Sequence, residues 1–128
     1  MDIINKSAES YSKKFTTGLD NILLENEENT IADHPHAQMH SGHVQGKFLE
    51  MISRMLNPEK ILEIGTFTGF SALCLYKGLQ QNGVLHTIEI REEDAATAAA
   101  YFKKAGAEKS IRLHIGNAME IIPSLNEK

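Results

Sequence analysis

Apolar positions recur along this chain at two different spacings, and each change of spacing marks a new element. Between about Ser7 and Glu25, the residues Tyr11, Phe15, Leu19, Ile22 and Leu23 follow at three- and four-residue steps, with lysines and acids elsewhere. That period predicts one amphipathic helix. Asn26 to His43 carries acids, Pro35, Gly42 and four histidines, which predicts a loop or short broken helices laid against the domain as a lid. Helical spacing returns with Val44, Phe48, Leu49, Ile52, Met55 and Leu56, and Asn57 with Pro58 stops it.

The next stretch, KILEIGTFTGFSALCL from Lys60 to Leu75, organises the rest. Its run from Ile61 to Ile64 is too short for a helix and lies between Pro58 and Gly65, as expected of a parallel strand buried on both faces. Gly65 and Gly69 bracket a tight loop, and Ser71 to Leu79 resumes helical spacing. Asn82-Gly83 then makes a turn into a second strand, Val84 to Ile90. Glu92 to Ala105 is an alanine-rich helix with acids at its start, Lys103 and Lys104 at its end and Gly106 as its C-cap. Ile111 to Ile115 is a third strand, and a helix over Ala118 to Leu125 follows, in which Pro123 is tolerated only near the first turn or as a kink. Strands alternating with helices predict an α/β fold around a parallel sheet.

Composition narrows the function. With 128 residues, 41% hydrophobic and 23% charged, the chain fits one soluble globular domain. A formal net charge of -4 and no basic run give no electrostatic footprint for nucleic acid. Cys74 is the only cysteine and lies in the apolar stripe after the loop, so it reads as a small core residue in a reducing compartment. The first residues, MDIINKSAES, lack a basic region followed by an apolar run, and no segment approaches membrane-spanning length, so no membrane partner and a cytoplasmic location are expected. His36, His40 and His43 have helical spacing, yet no cysteine or well-placed acid completes a metal set beside them.

Strand, glycine loop and helix together build a nucleotide site, because glycine permits close backbone approach and the helix start offers unpaired N–H groups. The dinucleotide pattern G-x-G-x-x-G begun at Gly65 would need glycines where Phe67 and Phe70 stand, and the phosphate loop lacks its second glycine and its lysine. Glu89, about twenty residues past the loop at a strand end, has the position of an acid that accepts from ribose hydroxyls, with a solvated strand-end acid as the alternative. What remains is Glu63-x-Gly65-x-x-x-Gly69 with Phe67 and Ser71. This resembles the first motif of class I S-adenosylmethionine-dependent methyltransferases, and G-T-F-T-G-F-S is similar to its form in the metal-dependent catechol and caffeoyl-CoA O-methyltransferase family. The likeness runs from about Met39 to Leu125.

The resemblance implies a Rossmann-like fold, here reduced to three parallel strands with two N-terminal helices. It divides the chain into residues 1–57, the N-terminal helices and substrate lid, and 58–128, the S-adenosylmethionine-binding half. It also implies a cofactor set. Gly65 would accept from the amino group of the methionine moiety, while Ser71 and the backbone near Ser41 would hold its carboxylate. Glu89 would take the ribose, Phe67 and Met39 would lie by the sulfonium, and Ala118 with Met119 would border the adenine. Glu63, Gly69 and Ile90 complete the set. In this family a metal-binding aspartate and a catalytic lysine follow the helix at Ala118, so the catalytic residues and any magnesium site are expected beyond Lys128. The expected function is methyl transfer to a hydroxyl of a small catechol-like or phenolic acceptor. The chain itself is expected to be truncated, to bind cofactor without turnover, and to self-associate through the uncovered edge of its first strand. Two alternatives stay open: a non-catalytic S-adenosylmethionine-binding or assembly module, and the nucleotide half of an NAD enzyme.

Overall fold

Two side chains decide where the first helices begin. In the computed structural model, which describes residues 3–127, Asn5 Oδ1 accepts from the backbone N–H groups of Ser7 and Ala8 and opens α1 (Lys6–Phe15). Asp20 Oδ1 does the same for Ile22 and Leu23 and opens α2 (Asn21–Asp33). The single helix expected from Ser7 to Glu25 is therefore two. Its apolar stripe divides accordingly, with Tyr11 and Phe15 exposed on α1 and Leu23 buried on α2. The predicted loop from Asn26 is likewise helical to Asp33, because Asn26, Glu27 and Thr30 form the buried face of α2. Only residues 34 to 41 are irregular, with a 3-10 turn over Ala37–Met39.

After α3 (Gly42–Leu56) come β1 (Lys60–Ile64), α4 (Phe70–Tyr76), β2 (Val84–Glu89), α5 (Glu92–Lys104), β3 (Ile111–Ile115) and α6 (Ala118–Ile121). Three helices thus precede the first strand, where two were expected. The C-terminal helix is also shorter than expected, because Pro123 falls in a 3-10 turn over Ile122–Ser124. Gly106 ends α5 as predicted, with φ of 66°, while Ala107 N–H reaches Phe102 O and Gly106 N–H reaches Lys103 O.

The three strands are parallel in the order β1-β2-β3, so β1 lies at an edge. Register pairs Ile61 with Leu85 and Leu85 with Ile111, which sets these three on one face. That face carries the core, built with Leu23 of α2, Phe70, Leu73 and Cys74 of α4, and Ala98, Tyr101 and Phe102 of α5. Ala95 and Ala98 bring α5 close because their side chains take so little room. On the opposite face, the expectation of a strand covered on both sides fails. Leu62 and Ile64 of β1 are 50% and 65% exposed. Only His86 and Ile88 of β2 are buried there, the first with its ring stacked on His114 and its Nε2 bonded to Glu127 Oε1 at 3.2 Å.

Candidate functional site

All the backbone turns that matter for a ligand gather at the C-terminal ends of the strands. Gly65 N–H bonds Ile88 O at 2.8 Å and Gly116 N–H bonds Glu89 O at 2.8 Å, which locks the three strand ends side by side. In open parallel sheets the crevice outside these ends is where ligands bind. The loop from Gly65 to Gly69 forms its floor. Gly69 has φ of 91°, and a Cβ there would lie 2.9 Å from Phe102 Cε1 and 3.2 Å from Ala98 Cα. Gly65 has φ of 92° but a Cβ would meet nothing within 4 Å, so the space above it is open. One glycine lets the loop pack inward, and the other leaves room outward.

Two acids flank this floor. Glu63 accepts Ser71 Oγ–H at 2.6 Å and Thr87 Oγ1–H at 2.5 Å, and Thr87 in turn pairs with Thr66 at 2.6 Å. Burial pushes the Glu63 carboxyl above its ordinary value; the two hydroxyl bonds oppose this, and the neighbouring Glu89 adds to it. Glu89, 8% exposed, accepts backbone N–H groups instead: Phe67 at 2.7 Å on Oε2, and Ile90 and Arg91 at 3.0 Å on Oε1. These bonds hold Phe67 at φ of 51°, a left-handed conformation that a non-glycine residue keeps only with support.

Of the residues singled out in the sequence, Glu63, Gly65, Phe67, Gly69, Ser71 and Glu89 are brought together around the loop. Ser71 donates its proton to Glu63, so its link to the site runs through that acid. Ile90, Met39 and Met119 are exposed apolar side chains, at the end of β2, in the 3-10 turn and at the start of α6. Ala118 begins α6, capped by Asn117, whose Oδ1 accepts from Met119 N–H. Ser41 precedes α3 without a side-chain capping bond.

Sequence reasoning missed the residues that tie α2 and the linker after it to the loop. Asn26 Nδ2 donates to Thr68 O at 2.7 Å, and Thr30 Oγ1 donates to Thr68 Oγ1 at 3.0 Å. His40 accepts Gly42 N–H on Nδ1, which leaves Nε2–H to donate to Asn26 Oδ1 at 3.2 Å, and its ring packs on Phe70. Burial lowers the His40 pKa, with Glu27 opposing. His34 reaches Asp94 and His43 reaches Thr17 O, so the linker's histidines have separate partners. Gly42, at φ of 81°, breaks the helical spacing that had suggested a cluster. Among the described residues no group of three or more His, Cys, Asp or Glu is arranged to hold a metal ion. The one signal available in the sequence was the threonine alternation of Gly65-Thr66-Phe67-Thr68-Gly69, which asks for buried polar partners.

Comparison with known proteins bears on the same region. A family model described as O-methyltransferase matches residues 12–128. The chain is 34% identical over 84 residues to a catechol O-methyltransferase of Niastella koreensis, covering 66% of this chain and 38% of that protein. It is 29% identical over 92 residues to a caffeoyl-CoA O-methyltransferase of Stellaria longipes, covering 72% and 38%. Among solved structures, the O-methyltransferase TomG of Streptomyces achromogenes in complex with SAM superposes with a TM-score of 0.85 at 30% identity, covering 94% of this chain and 54% of that one. SAH-bound PaMTH1 of Podospora anserina gives 0.89 at 28%, covering 98% and 56%. The chain therefore spans about half the length of these structures, and its matched stretch less than two fifths of the two curated relatives. A sequence match that begins within α1 and continues through every strand of the sheet, joined to these superpositions, makes the chain a member of the O-methyltransferase family with the Rossmann-like fold of its class I relatives.

Proposed function

We propose that the crevice binds S-adenosylmethionine and its product S-adenosylhomocysteine, as the cofactor part of a methyl transfer to an oxygen. The observation that carries this reading is the floor itself: an open space above Gly65, at positive φ, between two strand-end carboxylates. A pyrophosphate would not suit a floor lined by Glu63 and Glu89, whereas an amino group and ribose hydroxyls are donors that such acceptors can receive. The Gly65 carbonyl would take the amino group, and the Ser71 backbone N–H in the first turn of α4, not its hydroxyl, whose proton goes to Glu63, would face the carboxylate together with the backbone at Ser41. Glu89 Oε2 receives only the Phe67 N–H, which leaves an acceptor position for ribose. Phe67 and Met39 would flank the sulfonium, and Ile90, Ala118 and Met119 would border the adenine.

When bound, the cofactor supplies an electrophilic methyl, which an acceptor oxygen takes as the sulfur becomes a neutral thioether and the hydroxyl proton departs. The residues of this chain bind and align. Among the described residues no three His, Cys, Asp or Glu form a donor set for a divalent metal. We infer that the isolated 128-residue chain binds cofactor without turnover, and that the acceptor of the whole protein is a catechol-like or phenolic hydroxyl. The free edge of β1 supports self-association. Burial pushes the Cys74 thiol up to about 12, which keeps it protonated at neutral pH, and the cytoplasmic location expected from the sequence stays part of this proposal. No helix among the described residues is long and apolar enough to cross a membrane.

Calorimetric titration tests the cofactor reading, with heat expected for S-adenosylmethionine and S-adenosylhomocysteine and none for NAD. Preferential NAD binding would sink it. Transfer of labelled methyl to catechol by the isolated chain, dependent on magnesium, would refute the inference of binding without turnover.

A further inference from the structure

His34 ends α2 and belongs, by sequence, to the linker over the crevice. Its ring has a fixed tautomer. Nδ1 accepts the His36 backbone N–H at 3.0 Å, so Nε2 carries the proton that is donated to Asp94 Oδ1 at 2.8 Å. Asp94, in the first turn of α5, is 5% exposed, and its Oδ2 makes no hydrogen bond, with Arg91 Nη1 no nearer than 3.7 Å. A buried carboxylate with so little other compensation holds tightly to the one donor it has.

The His34 and Phe67 rings then pack edge to face, with centroids 4.6 Å apart and planes at 80°. Phe67 is the loop residue with a left-handed backbone, and its N–H bonds Glu89. Asp94, His34, Phe67 and Glu89 therefore form one continuous chain of contacts. It joins the start of α5, the linker, the glycine loop and the end of β2. No other aromatic or histidine ring among the described residues packs on Phe67.

We propose that His34 is a positioning residue: held by Asp94, it keeps Phe67 in its left-handed conformation, so that the loop presents the cofactor site already formed. This rests on the cofactor reading above. The role differs from that of a helix C-cap, which needs only the bond from His34 N–H to Thr30 O and not the ring.

The test compares His34→Ala, which loses both ring contacts, with His34→Gln, whose amide reaches Asp94 as Nε2 does. Tyr101→Phe, which removes the Asn29 bond to Tyr101 Oη and is no member of the chain of contacts on Phe67, serves as the control. Two readouts are taken: amide hydrogen exchange at Phe67 in the protein alone, and affinity for S-adenosylhomocysteine. His34→Ala should speed Phe67 exchange and weaken binding, each by about tenfold. His34→Gln, which keeps the bond to Asp94 but loses the ring on Phe67, should recover Tm while leaving exchange and binding close to those of His34→Ala. A full return to wild-type values would overturn the ring contact as the link. Tyr101→Phe should lower Tm while changing neither exchange nor binding. If His34→Ala behaves like Tyr101→Phe, lowering Tm alone, the inference is overturned. Should the wild type bind no S-adenosylhomocysteine, the cofactor reading fails, and Phe67 exchange still decides whether His34 holds the loop. If His34→Ala does not fold, unchanged exchange in His34→Phe, which keeps a ring but no donor, would overturn the tie through Asp94.

Discussion

The end of β1 and the end of β2 each bring one carboxylate to the crevice, yet the two are held by different kinds of donor. Glu63 receives two side-chain hydroxyls, from Ser71 and Thr87, which can rotate without moving the chain. Glu89 receives three backbone N–H groups, from Phe67, Ile90 and Arg91, which cannot. A change at Glu63 is absorbed by two torsions. A change at Glu89 releases the loop. The comparison separates a supporting acid from one that belongs to the loop's own architecture, a distinction that identical residue type conceals.

The loop between these ends offers the most severe test, because its two glycines differ as the acids do. Gly69→Ala should destabilise by about 3 kcal/mol, combining left-handed strain with a Cβ driven against Phe102 and Ala98. Gly65→Ala should cost about 1 kcal/mol, from strain alone, while filling space that a ligand needs. Urea unfolding of both variants checks this, and equal losses would erase the difference between the closed and open ends of the loop.

A smaller effect is expected at the second acid. Glu89→Ala should weaken binding of S-adenosylhomocysteine by about 1.5 to 3 kcal/mol, through lost charge-assisted bonds and a loosened Phe67. Glu92→Ala, at the first turn of α5, should trim only helix stability, by about 0.5 kcal/mol. With the fold intact by circular dichroism, equal changes in affinity would remove Glu89 from the site.

The smallest effect concerns Glu63. Burial holds its carboxyl above the ordinary 4.5 in the folded chain, so the folded state keeps a proton that the unfolded chain has released. From about pH 4.5 upward, until the folded carboxyl ionises, stability from this group falls as pH rises; below that window the penalty is absent. Glu63→Gln should remove this slope and change stability at neutral pH by less than about 1 kcal/mol, since an amide still pairs with both hydroxyls. Denaturation at several pH values measures it. A Gln variant with the wild-type slope would show that another group is responsible.

Much of the frame around these ends could be read locally. The run Ile61 to Ile64, the turn at Asn82-Gly83 and the alanines of α5 carry their own period and punctuation, and β1, β2, β3 and α5 lie within a residue or so of where those signals put them. The N-terminal region was harder. Tyr11, Phe15, Leu19 and Leu23 keep helical spacing across Thr16 to Asp20, yet Asp20 caps a new helix there and no residue of α1 is buried. Periodicity sees a stripe, and it does not see whether one rigid rod could lay that stripe on the core.

The sequence by itself determined the strand, loop and helix units and the positions of Gly65, Gly69, Glu63 and Glu89, because backbone propensity and positive φ are set by residues adjacent in the chain. Only the tertiary structure decided which groups these residues meet. Asn26 finds Thr68 across 42 positions, His34 finds Asp94 across 60, and Glu63 finds Thr87 across 24. It also decided that β1 has one bare face, since cover depends on which elements stack against a sheet. Those pairings follow from burial, where a polar group must find a partner wherever the fold puts one, and sequence distance has no influence on that choice.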